Sequence, residues 1–247
     1  MKRLMSGMRL FFLGMLVALI AGCGRQEPLV VYAGKGLQRP LEEIKQVYEK
    51  RSGIGLNVIY AGSDTLLSTL KTTGKGDVFI PGSSSYLTEA GSLITSDQFV
   101  AMHTPVFAVH GDKLKTYADL LKLGVRIAVG NKDMAAIGRL SDAVLKEAPA
   151  ELNFSRNIVV SASTVNELLK LVAAGEVDAA LLWGDMLQWE DAKGLTAIAL
   201  PPEFHQVKEI RVATLSSSLA PRDARDFADF VASEGRAVFE KHGFGRK

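Results

Sequence analysis

Short apolar runs alternate with amphipathic stretches along most of the chain. Leu29–Ala33 (LVVYA), Leu56–Ala61, Val125–Val129 (VRIAV), Ile158–Ser161 (IVVS) and Ala179–Trp183 (AALLW) have the length and β-branched content of buried strands. Between them, apolar residues recur at helical spacing. Pro40 opens one such segment, with Leu41, Ile44, Val47 and Tyr48 on a single face and Gly53 closing it. Glu42 and Glu43 would occupy its first turn, where acidic groups complement the helix dipole. Gly62-Ser63-Asp64 leads into a second helix carrying Leu66, Leu67 and Leu70, and Asp77–Pro81 (DVFIP) reads as a third strand. The later half continues the alternation. Strands are expected at Thr104–Val109 and Ile210–Leu215, and helices at Tyr117–Leu123, Ala135–Lys146 and Val165–Ala174, the last capped by Ser163 or Thr164. Pro221 starts a closing helix with Phe227, Phe230 and Val231 inward. Strand–helix alternation over two similar halves predicts an α/β protein of two lobes.

The strand ends share one character. Gly34-Lys35-Gly36, Gly62-Ser63-Asp64 and Gly82-Ser83-Ser84-Ser85 each follow a strand and precede a helix. In parallel sheets the carboxyl ends of the strands form the ligand crevice. Helix starts there present unpaired N–H groups and positive dipole ends, which hold an anion without basic side chains. Small residues let the anion approach the backbone.

Charge is unevenly placed. Lys2, Arg3 and Arg9 precede the apolar run Leu10–Ala21, which is shorter than the roughly 20 residues of a membrane span and fits a secretory h-region. Three of the 29 basic side chains lie in residues 1–22; without them 26 basic face 27 acidic groups, so no basic surface suggests nucleic-acid binding. The run ends in Ile20-Ala21-Gly22-Cys23, which resembles the lipobox of bacterial lipoproteins, and Cys23 is the single cysteine of the chain. That resemblance implies removal of residues 1–22 as a signal peptide, lipid on Cys23, and an extracytoplasmic, membrane-anchored protein.

Further motifs appear in a recognisable order: Val31-Tyr32-Ala33-Gly34-Lys35-Gly36-Leu37, Pro40-Leu41-Glu42-Glu43-Ile44, Tyr60-Ala61-Gly62-Ser63-Asp64-Thr65-Leu66, Gly76-Asp77-Val78-Phe79-Ile80-Pro81-Gly82, Arg126-Ile127-Ala128-Val129-Gly130, and the ending Phe227 to Phe244. Together they resemble the periplasmic molybdate- and tungstate-binding proteins of ABC importers, across essentially all of the mature chain. The resemblance implies a type II periplasmic-binding-protein fold, each lobe a mixed, mostly parallel sheet flanked by helices. Lobe 1 would comprise residues 23–104 plus 208–247 and lobe 2 residues 105–207, joined by a hinge near Thr104–Val106 and Lys208–Val212. It implies a monomer that carries a tetrahedral oxyanion to an ABC permease, with no cofactor and no direct metal ligands. Its ligand positions fall on Gly36, Ser63, Gly82, Ile137 and Gly138, Val165 and Trp183. Gly36 stands where the family usually has serine. Trp183 stands where it usually has tyrosine, and an indole N–H donates only. Lys35 either adds a positive charge beside the anion or points to solvent. Asp64 would repel a dianion unless it faces away or pairs with Lys35.

Enzyme chemistry finds little support in the residues. His103, His110, His205 and His242 form no i, i+4 pair, and His103 and His110 bound an apolar strand in structural or surface positions. No G-x-S-x-G elbow or phosphate loop is present. A binding protein is therefore expected. The alternatives are the same scaffold with sulfate, phosphate or an organic acid, or an enzyme or sensor module on this fold.

Overall fold

The computed structural model describes residues 27–246 apart from His205. The signal segment 1–22, the lipobox with Cys23, and His205 lie outside the described residues. Five strands, β1 (Leu29–Gly34), β2 (Leu56–Ala61), β3 (Val78–Ile80), β4 (Ile94–His103) and β10 (Lys208–Leu215), form one sheet in the order β2-β1-β3-β10-β4. The other five, β5 (Pro105–His110), β6 (Ile127–Gly130), β7 (Ile158–Ala162), β8 (Ala179–Trp183) and β9 (Leu195–Ala199), form a second in the order β7-β6-β8-β5-β9. The helices are α1 (Gln38–Ser52), α2 (Ser63–Thr73), α3 (Ser85–Ala90), α4 (Tyr117–Leu120), α5 (Ala136–Glu147), α6 (Val165–Ala173), α7 (Pro221–Ala232) and α8 (Gly235–Lys241).

The two-lobed α/β architecture expected from the alternation is the one the chain adopts. Each sheet is evenly mixed. β1 runs parallel to β2 and β3, and β6 parallel to β7 and β8, whereas β10 and β5 are antiparallel to both of their neighbours. β1 shows why its run is apolar throughout. Leu29, Val31 and Ala33 enter a core with Ile44 of α1 and Phe227 of α7, while Tyr32 points to the other face, among Leu66, Leu70 and Tyr86.

Several boundaries differ from the sequence reading, each for a local reason. α1 begins at Gln38, directly after a 3-10 turn at Lys35–Leu37, so Glu42 and Glu43 fall beyond its first turn. Glu43 instead accepts from Lys241 Nζ at 2.8 Å and lies 3.0 Å from His242 Nε2, and these bonds hold its carboxyl below the usual range. Val47 is 47% exposed because the buried stripe of α1 is Pro40, Leu41, Ile44 and Tyr48, with Val47 at its flank. The chain passes from the first sheet to the second at Thr104. It returns between β9 and β10, ahead of the expected stretch Lys208–Val212, which already belongs to the first sheet.

Candidate functional site

Four helix starts meet between the two sheets. The 3-10 turn after β1 feeds α1, Gly62 feeds α2 after β2, the loop after β6 feeds α5, and Ser163-Thr164 feed α6 after β7. The first amides of each helix have no acceptor one turn back, so they remain available to a ligand. At α6 the cap is made by Thr164, whose Oγ1 accepts from Glu167 N at 3.3 Å, while Ser163 N donates to Glu167 Oε2 at 2.9 Å. These bonds leave the Val165 amide at the helix start.

Between the helix starts lies a cavity of about 20 Å³. On that measure one water needs roughly 10–15 Å³, so the space as it stands suits a few atoms. Its wall includes Lys35, Gly36, Ser63, Gly82, Ile137, Val165 and Trp183, all seven singled out in the sequence. Gly138 is not among them. It lies against Gly130 and Asn131 behind the wall, and its N–H donates to Ala135 O at 2.9 Å, because the first turn of α5 turns Ile137 rather than Gly138 toward the cavity.

The two lobes touch through small residues. A Cβ on Gly62 would sit 1.8 Å from the carbonyl oxygen of Met134, in the loop before α5. A Cβ on Gly36 would lie 3.0 Å from Val165 Cγ2 and 3.7 Å from Trp183 Cδ1. The serine usual at Gly36 in the resembling family would therefore crowd Val165. Cδ1 is bonded to Nε1 in the indole ring, so the donor-bearing edge of Trp183 is turned toward Gly36. Ser63 does not cap α2. Its Oγ accepts the Gly82 N–H at 3.0 Å, which leaves the hydroxyl hydrogen free and occupies the Gly82 amide within the first lobe.

Of the alternatives weighed in the sequence, Lys35 takes the place beside the cavity and Asp64 stays out of its wall. Lys35 lines the cavity and its Nζ stands 5.8 Å from the centroid of the Tyr60 ring. Asp64 pairs not with Lys35 but with Arg139 of α5, across the gap: Arg139 Nε donates to Asp64 Oδ1 at 2.8 Å, and the guanidinium also binds Glu89. Arg139 lies 4.4 Å over the Tyr86 ring, and Tyr86 OH donates to Asp64 Oδ2 at 2.6 Å. Burial, then the Asp64 carboxylate, raise the Tyr86 pKa, so the phenol stays a donor. Burial opposes the charge on Arg139, but the bonds from Glu89 and Asp64 outweigh it and its pKa is raised. A second pair, Arg39–Asp191 at 2.5 Å, also joins the lobes.

Arg139→Ala is expected to weaken ligand binding about fivefold, chiefly by faster dissociation. The pair is worth about 1 kcal/mol, given that the Arg139 side chain is 38% exposed. The change also leaves the Asp64 carboxylate unneutralised near the anion. Stopped-flow dissociation rates check this, and an unchanged rate would show that the pair does not hold the lobes together.

The sequence reading missed a buried side-chain pair at the site, His103 and Asp185. His103, fully buried at the end of β4, also lines the cavity. Its ring stacks on Trp183 with centroids 4.5 Å apart, and its Nδ1 lies 2.7 Å from Oδ1 of buried Asp185. The two partners are 82 positions apart, and no local pattern announces such a pair.

Residues 29–245 match the model of a family described as bacterial extracellular solute-binding protein. A binding protein of Haemophilus influenzae is 28% identical over 222 residues, covering 87% of this chain and 90% of that protein. The molybdate-binding protein ModA of Mycobacterium bovis is 26% identical over 257 residues, covering 94% and 95%. Among solved structures, the periplasmic molybdate-binding protein of Azotobacter vinelandii superposes with a TM-score of 0.75 at 16% identity, over 89% of this chain and 99% of that one. The sulfate-binding protein SubI of Mycobacterium tuberculosis gives 0.74 at 13% identity, over 89% and 86%. At such identities the structural likeness concerns the two-lobed periplasmic-binding fold alone. The family and these neighbours are binding proteins rather than enzymes. The family match spans both sheets and every helix that borders the cavity, and on it the chain belongs to the bacterial extracellular solute-binding proteins.

Proposed function

We propose that the protein captures a tetrahedral oxyanion, molybdate or tungstate, and delivers it to an ABC permease as a monomer anchored outside the cytoplasm through lipid on Cys23. The binding lobes would be residues 23–104 with 208–247, and residues 105–207. One observation carries this reading: a small cavity between the lobes collects helix-start amides, the Ser63 and Thr164 hydroxyls, the Trp183 indole and Lys35, and no Asp or Glu side chain lines it. Partial charges of this kind suit a compact dianion, since they need little desolvation and are fixed before binding. The relatives named for molybdate support the choice of anion. Sulfate is the second reading, favoured by the cavity size, which suits any small tetrahedral dianion.

A panel of molybdate, tungstate, sulfate and phosphate, scored by thermal shift and then by calorimetric titration, tests the assignment. A true ligand at about a hundred times its dissociation constant stabilises the native state by about 2.7 kcal/mol. Molybdate or tungstate is expected to give the largest rise in melting temperature. A larger rise with sulfate would reassign the cargo, and no rise with any of the four would reject an oxyanion carrier.

A further inference from the structure

Among the described residues, His103 is the one imidazole in the wall of the cavity. Both of its nitrogens are buried, and only Nδ1 has a partner, the Asp185 carboxylate. Nε2 has none, and neither does Asp185 Oδ2. A buried polar atom without a partner is costly, and its presence in a binding cavity calls for a ligand.

The chemistry of the pair decides what Nε2 can offer. An ionised carboxylate only accepts, so the proton between the two groups sits on Nδ1 and is donated to Asp185. In the neutral ring Nε2 then carries a bare lone pair, which would repel an oxyanion. In the imidazolium Nε2 carries a hydrogen and donates. A fully ionised anion can therefore sit against this ring only when a second proton is present.

We propose that His103 is a ligand-contacting residue and that the anion binds together with one proton, held on His103 Nε2. This inference rests on the oxyanion reading above and adds to it a proton taken from solvent. The environment of the ring includes opposing charges. Asp185, from the 3-10 turn Gly184–Gln188 after β8, favours the imidazolium. Lys35 in the cavity wall opposes it. So does Lys208, the register partner of His103 on β10, although Lys208 donates to Gln206 and burial lowers its own pKa. Trp183 and Phe244, packed on the ring at 4.5 and 4.7 Å, contribute no charge. An incoming anion adds negative charge to the cavity whose wall His103 helps to form, and so favours the protonated ring.

The test is calorimetric titration with molybdate, and with sulfate in parallel, in buffers of different ionisation enthalpy from about pH 6 to about pH 8.5, the range in which imidazoles change charge. Wild-type protein is expected to take up close to one proton per anion at the alkaline end, with affinity falling there about tenfold per pH unit. Asp185→Asn permits the other tautomer, in which the amide donates to Nδ1 and a neutral ring donates from Nε2. It should keep binding with proton uptake near zero. His103→Gln should also lose the uptake, which separates the ring from Lys35 as the proton carrier. Anion binding without proton uptake in the wild type, or undiminished uptake in His103→Gln, overturns the inference while leaving the oxyanion reading intact. Absence of binding by both anions, with tungstate and phosphate also silent in the thermal-shift panel, overturns the two together.

Discussion

Gly62→Ala is expected to fold normally and to lose at least a hundredfold in affinity for the oxyanion. Gly62 has φ −64° and ψ 145°, a conformation open to alanine, so the separated lobes should tolerate the change. Replacing glycine where the backbone permits it stabilises a chain by about 0.4–1 kcal/mol, so the ligand-free melting temperature should hold or rise slightly. Closure is another matter. The new Cβ would fall 1.8 Å from the Met134 carbonyl oxygen, and neither atom can turn away, since each is fixed in position by the backbone that carries it. The lobes must stay apart, and the anion then loses the donors of one lobe. Two hydrogen bonds to a charged group, at roughly 1.5 kcal/mol each, amount to about 3 kcal/mol, or more than a hundredfold. Calorimetry measures the affinity, and small-angle scattering with and without saturating molybdate measures closure. Wild-type affinity together with ligand-induced compaction in the variant would disprove the contact's role.

Ser63→Ala and Trp183→Phe should each weaken binding about ten- to a hundredfold. Each removes one donor that can reach the cavity, from opposite lobes, and a hydrogen bond to a charged group contributes roughly 1.5–3 kcal/mol. Ser63→Ala belongs at the lower end. Losing Oγ frees the Gly82 amide, now bound to it at 3.0 Å, and that amide can turn to the anion. Trp183→Phe keeps an aromatic face for the His103 ring while removing the indole N–H. If Ser63 only tied down the Gly82 loop, and Trp183, 2% exposed, only filled core, both variants would lose stability and bind as before. Calorimetric titrations, paired with unfolding curves, distinguish the two outcomes.

The sequence made the architecture legible wherever both faces of a strand are buried. β1, β8 and β6 are continuous apolar runs, and their bounds were read to within a few residues. β4 escaped because only Val100, Ala101 and His103 of its ten residues are buried; Ile94–Phe99 is too polar and too exposed to show an alternation. The site was half legible. The loops and helix starts at the strand ends follow from the order of strands, loops and helices; the individual residues came from the family resemblance, with Lys35 beside them, and seven of the eight line the cavity. Which of two adjacent residues faces inward, Ile137 or Gly138, depends on the rotation of one helix turn, which hydropathy does not set. The side-chain pairs lay beyond reach for a different reason. Arg139 meets Asp64 across 75 positions and His103 meets Asp185 across 82, and each pair exists only once two separately formed pieces of chain come together. Gly62 read as an ordinary turn glycine; its steric role depends on a carbonyl in the other lobe.

The position of β10 has a consequence for the order in which the protein is completed. This strand lies between β3 and β4 in the first sheet, yet it leaves the ribosome after every strand of the second. Until then β3 and β4 each keep an unpaired edge, although β3 is buried along its whole length in the finished molecule. Synthesis runs at roughly 5–20 residues per second, and β4 and β10 are separated by the entire second lobe, so those edges stand open for roughly five to twenty seconds. An exposed edge is a template for wrong pairing. The lobe that begins first is thus the lobe that finishes last, and the nascent chain depends on keeping the open edges of β3 and β4 from wrong partners until its end arrives.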